Sequence, residues 1–416
     1  MPMLEPATPP DLDAAADDFP AVPDPEAAGP EDALADGWRR WRHALHRWPE
    51  TGFDEQRTSA RVARTLALLG LEVHAGIGGT GVVANLRVGD GRGVIGLRAD
   101  MDALALAENA PGRAHASRCA GRMHACGHDG HMAMLLGAAQ LLARRRDFDG
   151  TVRFVFQPAE EHGRGARAMI DDGLLARFPM DEIYGAHNLP GLPAGRIAAR
   201  VGGLMASEDN FVIRIRGRGG HAARPHMAID AIVVGAEIVL ALQTVVARAV
   251  DPVRPAVVSC TEFTTDGLRN ALPGEVVIKG DTRSDAPQVQ ALLERRMREL
   301  CEGICRAHGA TCSFEYTHEF APTVNWPQCV PVAAAAARAV VGDANVDDAA
   351  PPLMASEDFG VFLQHVPGAF VFIGNGDGDD PGATPLHNAS YDFNDRILPV
   401  GARWFAELAR VRLPRA

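Results

Sequence analysis

The chain has 416 residues, 47% of them apolar and 23% charged, a composition that suits a folded protein with room for two or three domains. Its net charge of −12 is unevenly placed, because residues 1–36 hold ten acids and no Lys or Arg. The rest of the chain is therefore close to neutral and offers no basic field to attract phosphates, so nucleic-acid binding is not expected.

Residues 1–36 add eight prolines and nine alanines to those acids. Such a segment buries too little apolar surface to offset its chain entropy, and a disordered acidic tail is expected there. It also lacks the basic and apolar regions of a signal peptide. The longest apolar run, residues 231–247, is interrupted by Glu237 and Gln243 and is shorter than the ~20 residues that span a bilayer. Seven cysteines, an odd number, fit reduced thiols better than a disulfide framework. A soluble, cytoplasmic protein that leaves membranes alone is the expectation.

From residue 37 the pattern alternates between helix and strand. Residues 36–48 and 55–69 read as helices, 81–88 and 93–98 as strands, and 128–145 as an apolar helix. Short apolar runs at 151–156 and 182–186 read as further strands. This rhythm predicts an α/β domain with a mostly parallel sheet. The middle of the chain differs. Residues 210–217 alternate apolar and charged side chains, as in a strand with one wet face. After it come a helix (229–248), two strands (256–263 and 275–283), a helix (287–308) and a strand (311–316). That β-α-β-β-α-β order predicts an inserted ferredoxin-like α+β domain over residues 205–316. From residue 322 the α/β pattern resumes. The catalytic domain is thus expected to comprise 37–204 and 317–416.

The segment Met123-His124-Ala125-Cys126-Gly127-His128-Asp129-Gly130-His131 places Cys126 and His128 two apart. On extended backbone both project to one side, a workable bite for a metal. The bland alternative is a buried Cys beside a helix-capping His. Gln157-Pro158-Ala159-Glu160-Glu161 follows a predicted parallel strand, where α/β sheets place their ligands. Adjacent carboxylates repel, and burial raises the pKa of at least one unless a cation compensates. With a cation present, one Glu can coordinate it while the other acts as base on water. Two solvated loop acids are the competing reading. His187 follows another strand and His387 lies far along the chain; each alone is more often a satisfied structural His. Asp100 and Asp102 close a further strand and could orient a ligating imidazole from behind. This donor inventory suits one or two borderline divalent ions better than Mg or Ca.

The motifs R-A-D-M-D-A-L, M-H-A-C-G-H-D-G-H, Q-P-A-E-E, G-A-R-A-M-I, G-A-H-N, G-G-H-A-A-R-P-H, P-T-V-N, S-E-D-F and L-H-N-A-S-Y-D-F-N-D occur in this order. Together they resemble the hippurate hydrolase and N-acyl-amino-acid amidohydrolase branch of the aminoacylase/carboxypeptidase-G-like metallopeptidases, to which the plant auxin-conjugate hydrolases belong. The resemblance runs from about Trp38 to Leu413. It implies a catalytic α/β domain interrupted by a lid and dimerisation domain, and two divalent metal ions (Mn, Zn, Co or Ni). It further implies Cys126 as a bridging thiolate, His128, Glu161, His187 and His387 as the other ligands, and Glu160 as general base. His221, in the G-G-H motif, would reach the active site of the neighbouring subunit in a homodimer, and Asn270 and Arg283 would hold the substrate carboxylate. The implied reaction is hydrolysis of the amide of an N-acyl amino acid.

Ala105 and Ala389 stand where the family usually has Pro, and Ala355 where Gly is frequent; none of these removes a chemical group. His162 replaces a usual Gly directly after Glu161 and is read as pointing outward. Cys301 and Cys305, four apart on a predicted helix, are read as packed thiols rather than metal ligands. A metal-dependent dipeptidase or carboxypeptidase is the alternative within enzymes, and a non-catalytic conjugate-binding protein is the alternative outside them.

Overall fold

The computed structural model of the protein describes residues 31–415, with side chains from Leu34 onward. The expected disordered tail lies outside the described residues as far as position 30. Helix Glu31–His46 begins inside the remainder of that segment. Leu34, Trp38 and Trp41 are all buried in the core, an i, i+4, i+7 stripe that docks this helix and so offsets the entropy of ordering it.

The described chain divides into two compact units. The first comprises residues up to 199 together with Pro327–Ala350 and Val366–Ala416. Its eight-stranded sheet runs in the order Glu72–Ile77, Gly81–Val88, Gly150–Gln157, Val94–Asp100, Glu182–Pro190, Gly368–Gly376, Ile197–Ala198, Val346–Asp347. The four strands from Gly150–Gln157 to Gly368–Gly376 are mutually parallel and form the centre. Strands Glu72–Ile77 and Gly81–Val88 form an antiparallel hairpin at one edge. Strands Val94–Asp100, Gly150–Gln157 and Gly368–Gly376 are buried along almost their whole length and mostly apolar, with Arg98, Asp100 and Arg153 as the charged exceptions. Helix His128–Arg145 is buried along almost its entire length and packs against helix Leu398–Arg412. Because the central strands are parallel, Asp100, Gln157 and the end of Glu182–Pro190 all lie at the carboxyl ends of the strands, on one side of the sheet.

The second unit comprises Arg200–Trp326 and Pro351–His365, wider than the 205–316 segment read from the pattern. Its four-stranded antiparallel sheet has the order Ala256–Thr265, Glu275–Ser284, Glu208–Arg216, Thr311–Phe320. Helices Ala231–Ala249 and Pro287–Ala307 pack on it around Phe211, Ile213, Ile238, Leu293 and Met297. Cys301 and Cys305 are free thiols in this core. By length and composition alone, helix Ala231–Ala249 is long and apolar enough to cross a membrane, which the interrupted run had not led us to expect. Val234, Ile238, Leu242 and Val245 bury one of its faces in the unit's core, whereas Ile232, Val233 and Leu240 are exposed.

Candidate metal centre

The carboxyl ends of the central strands gather side chains that the sequence spreads over more than 250 residues. Gly127 adopts φ 98°, a left-handed conformation suited to glycine, and so turns the chain from Cys126 into helix His128–Arg145. A Cβ at Gly127 would lie 2.4 Å from Asn188 Oδ1, so no larger residue fits this turn. The loop of His387 is tied to it by the His387 N–H, which donates to Ala125 O at 2.8 Å. His387 itself has φ 60°, unusual for a residue with a side chain.

Cys126 Sγ lies 3.3 Å from His187 Nε2. Cys126, His128 and His187 form one group whose ligand atoms are all within 4.8 Å of one another, and Cys126, Glu161 and His387 form a second. The thiol is thus common to two triads. His128 Nε2 is 3.9 Å from both Glu161 Oε1 and Glu160 Oε2, and His387 Nε2 is 3.5 Å from Glu161 Oε2. Cys126, His128, His187 and Glu160 are buried, Glu161 is largely so, and His387 is exposed.

The imidazoles are oriented from behind. His128 Nδ1 faces Asp102, at 2.8 Å from its carbonyl and 3.2 Å from its carboxylate, and His187 Nδ1 faces Asn188 O at 2.7 Å. With each Nδ1–H donated, the Nε2 lone pair points into the cluster. Asp102 also accepts the Glu161 N–H at 3.0 Å. Asp100 holds a different imidazole: its Oδ1 is 2.7 Å from His131 Nδ1, and its Oδ2 accepts from Arg98 at 2.8 Å.

The electrostatics call for a cation. Burial pushes the Glu161 carboxyl up to about 7, against the pull of His128. Burial lowers His128, yet Asp100, Asp102 and Glu161 outweigh it and raise this imidazole to about 10. Burial drives His187 well below the usual histidine range. Carboxylates, a thiol and imidazoles crowd together here, with Arg98 paired to Asp100 behind them. His128 Nε2 and Glu161 Oε1 are buried with no hydrogen-bond partner among the described residues. A divalent metal would displace the His128 proton and join these two orphaned atoms beside a thiol.

The sequence reading had not singled out three features. His131 bridges Asp100 and Asn188 Oδ1 at 2.7 Å each. Asp129, directly after His128, accepts from Arg42 at 3.1 Å and lies 2.8 Å from His46 Nδ1, all three fully buried. Glu55 is buried against the turn that carries Glu160. His131 was legible in the G-H-D-G-H motif; the other partners lie more than 80 residues apart and leave no local signal.

Among the remaining expected site residues, His221 and Asn270 are neighbours in the second unit, where strand Gly220–His221 pairs with Ala271–Leu272 and the Ala222 N–H donates to Asn270 O. His221 is exposed. Arg283 stands on another strand, its guanidinium paired with Glu208 at 2.7 Å and Asp281 at 3.0 Å. His162 is exposed, and its ring lies over Gly52, where a Cβ would meet Nδ1 at 2.5 Å.

The sequence pattern of Peptidase family M20/M25/M40 matches residues 96–411, which include every residue of the two triads. The chain belongs to this family. Among its M20 relatives, the chain is 40% identical to the hippurate hydrolase of Campylobacter jejuni over 370 residues, covering 88% of this chain and 94% of that one. It is 41% identical to an N-acyl-L-amino acid amidohydrolase of Geobacillus stearothermophilus over 291 residues, 69% of this chain and 78% of that one. A solved dinuclear metal-binding peptidase of the M20 family from Bacillus subtilis aligns with a TM-score of 0.80 at 32% identity, covering 92% of this chain and 99% of that one.

Proposed function

We propose that the chain is a metal-dependent amidohydrolase that cleaves the amide of N-acyl amino acids to a carboxylic acid and an amino acid. The observation that carries this reading is the thiol of Cys126, shared between a His128/His187 triad and a Glu161/His387 triad. That arrangement suits two divalent cations, and its mixture of sulfur, nitrogen and oxygen donors suits Mn, Zn, Co or Ni. The hippurate hydrolase and amidohydrolase relatives support the substrate class.

When bound, the cations would polarise the amide carbonyl and make a nearby water more acidic. The buried Glu160 groups with His128 and Glu161, outside the two triads that share Cys126, and its carboxylate would act as base. It would take a proton from water as the water oxygen adds to the carbonyl carbon. It would then deliver that proton to the amine nitrogen as the C–N bond breaks. His221 would donate to the carbonyl oxygen as negative charge develops there. Asn270 and Arg283 would receive the substrate carboxylate, for which Arg283 must exchange one of its present carboxylate partners.

In this reading the first unit is the catalytic domain and the second an inserted lid and dimerisation domain. Strand Ala256–Thr265 lies at an open edge of its sheet, beside a helix that exposes Ile232, Val233 and Leu240. A second copy of the chain would pair the free edge and cover those side chains. Seven free cysteines favour a reducing, cytoplasmic location.

The test is to strip the protein of metal, add back Mn, Zn, Co or Ni singly, and measure amino-acid release from N-benzoylglycine, other N-acyl amino acids and dipeptides. Release from acylated substrates with at least one metal is expected. Release from dipeptides alone would shift the reading to a dipeptidase, and no release from any substrate would overturn it.

A further inference from the structure

A buried carboxylate with no part in the proposed chemistry holds the turn that carries Glu160 and Glu161. Glu55 is fully buried; its Oε1 accepts the Ala159 N–H at 2.8 Å, and its Oε2 accepts the Thr80 hydroxyl at 2.6 Å. Glu55 occupies the N-cap position of helix Gln56–Leu68, yet its side chain makes no capping hydrogen bond to that helix. The carboxyl is therefore committed to the turn and not to the helix it precedes.

Ala159 needs such a hold. Its φ is 49°, in the left-handed region that residues with a Cβ avoid. Conformations of this kind persist where the surroundings over-determine them. Here the Glu55 carboxyl fixes the peptide N–H just before Glu160, and Asp102 Oδ2 fixes the one just after it, at Glu161. The turn closes through Gly163 N to Glu160 O at 2.7 Å and Gly165 N to Ala159 O at 3.1 Å. Gly165 packs so tightly that a Cβ there would lie 1.5 Å from Pro158 O. Burial pushes the Glu55 carboxyl up to about 7, against the hydrogen bonds from Thr80 and Ala159, which favour its charged form.

We infer that Glu55 is a positioning residue, whose carboxyl fixes the Ala159 peptide and thereby aims the Glu160 carboxylate. The inference rests on the function proposed above, in which Glu160 is the base. Glu55→Gln keeps an acceptor for Ala159 and a polar group facing Thr80. Glu55→Ala leaves the Ala159 N–H buried without its acceptor. Glu55→Asp is one methylene too short to hold both partners.

The experiment compares wild type with these three variants as full-length, metal-loaded protein. It reads kcat and KM on an N-acyl amino acid that wild type hydrolyses, and separately the absorption spectrum of the cobalt-substituted protein. For Glu55→Ala we expect kcat to fall about 10²-fold, the scale of a 1 Å misplacement, with KM within about 3-fold of wild type. Its cobalt d–d bands should shift, because Glu161 is on the same turn, while the thiolate charge-transfer band of Cys126 persists. Glu55→Gln should restore both kcat and spectrum. If Glu55→Ala does not fold, Glu55→Asp carries the same test. Wild-type kcat and spectrum in a folded Ala or Asp variant would overturn the inference, as would a Gln variant as impaired as Ala. A wild type that hydrolyses no N-acyl amino acid would remove the proposed function, and the spectra alone would then decide whether Glu55 holds the turn.

Discussion

Glu161 Oε1 and His128 Nε2 face one another across 3.9 Å, both buried and both without a hydrogen bond among the described residues. Two groups left in this state destabilise a fold unless something joins them. Chelation should therefore lower the melting temperature by about 5 °C or more, and adding back a divalent transition metal should restore it. Calorimetry on stripped and reloaded protein, with metal content measured alongside, checks this; equal melting temperatures would count against a cation at this position.

Removing the base without removing a ligand separates chemistry from binding. Glu160→Gln should lose about 10²–10⁴-fold in kcat while its metal content matches wild type. A variant that retains most of its activity would take Glu160 out of the proposed role.

The dimer hypothesis is testable at the exposed apolar face of helix Ala231–Ala249. Leu240 is 72% exposed, so Leu240→Arg should leave the fold intact and weaken pairing of the chains. If His221 acts across subunits, the monomer should lose about 10²-fold or more in kcat with its metals still bound. Light scattering paired with kinetics decides, and an active monomer would refute action across subunits.

Acid stability should depend on a carboxylate away from the metal cluster. Burial alone would raise Glu108, but hydrogen bonds from His46, the Ser117 N–H and Arg113 hold it down to about 2. A pKa lower in the folded than in the unfolded chain contributes stability above the unfolded value of ~4.3 that disappears as pH falls toward 2. Urea midpoints of wild type should thus drop between pH 5 and pH 2.5, and Glu108→Gln should flatten that drop. An unchanged slope would show that Glu108 contributes little.

The sequence was most legible where the signal was local. The run 151–156 and the alternating stretch 210–217 became strands Gly150–Gln157 and Glu208–Arg216, because burial on two faces or one leaves a direct imprint on residue order. Strand Glu72–Ile77 escaped notice: its burial is irregular, and it is stabilised by pairing with Gly81–Val88 across the hairpin. The cluster around Cys126 was readable because each member sits in its own short motif. The supports behind it were not. Arg42 reaches Asp129 from 87 residues away and Asp392 from 350, so neither pairing is visible until the chain is folded. The edges of the second unit were hidden for a similar reason, since Pro351–His365 joins it from beyond an intervening stretch of the first.

The placement of the five tryptophans decides what a fluorescence experiment can see. Trp38, Trp41 and Trp404 are fully buried in the first unit, and Trp48 belongs to it as well. Trp326 alone reports from the second, and it is 37% exposed already. Indole emission will therefore follow melting of the first unit and be nearly blind to the second. The sheltered thiols of Cys301 and Cys305, titrated with a coloured disulfide reagent, would supply the missing signal.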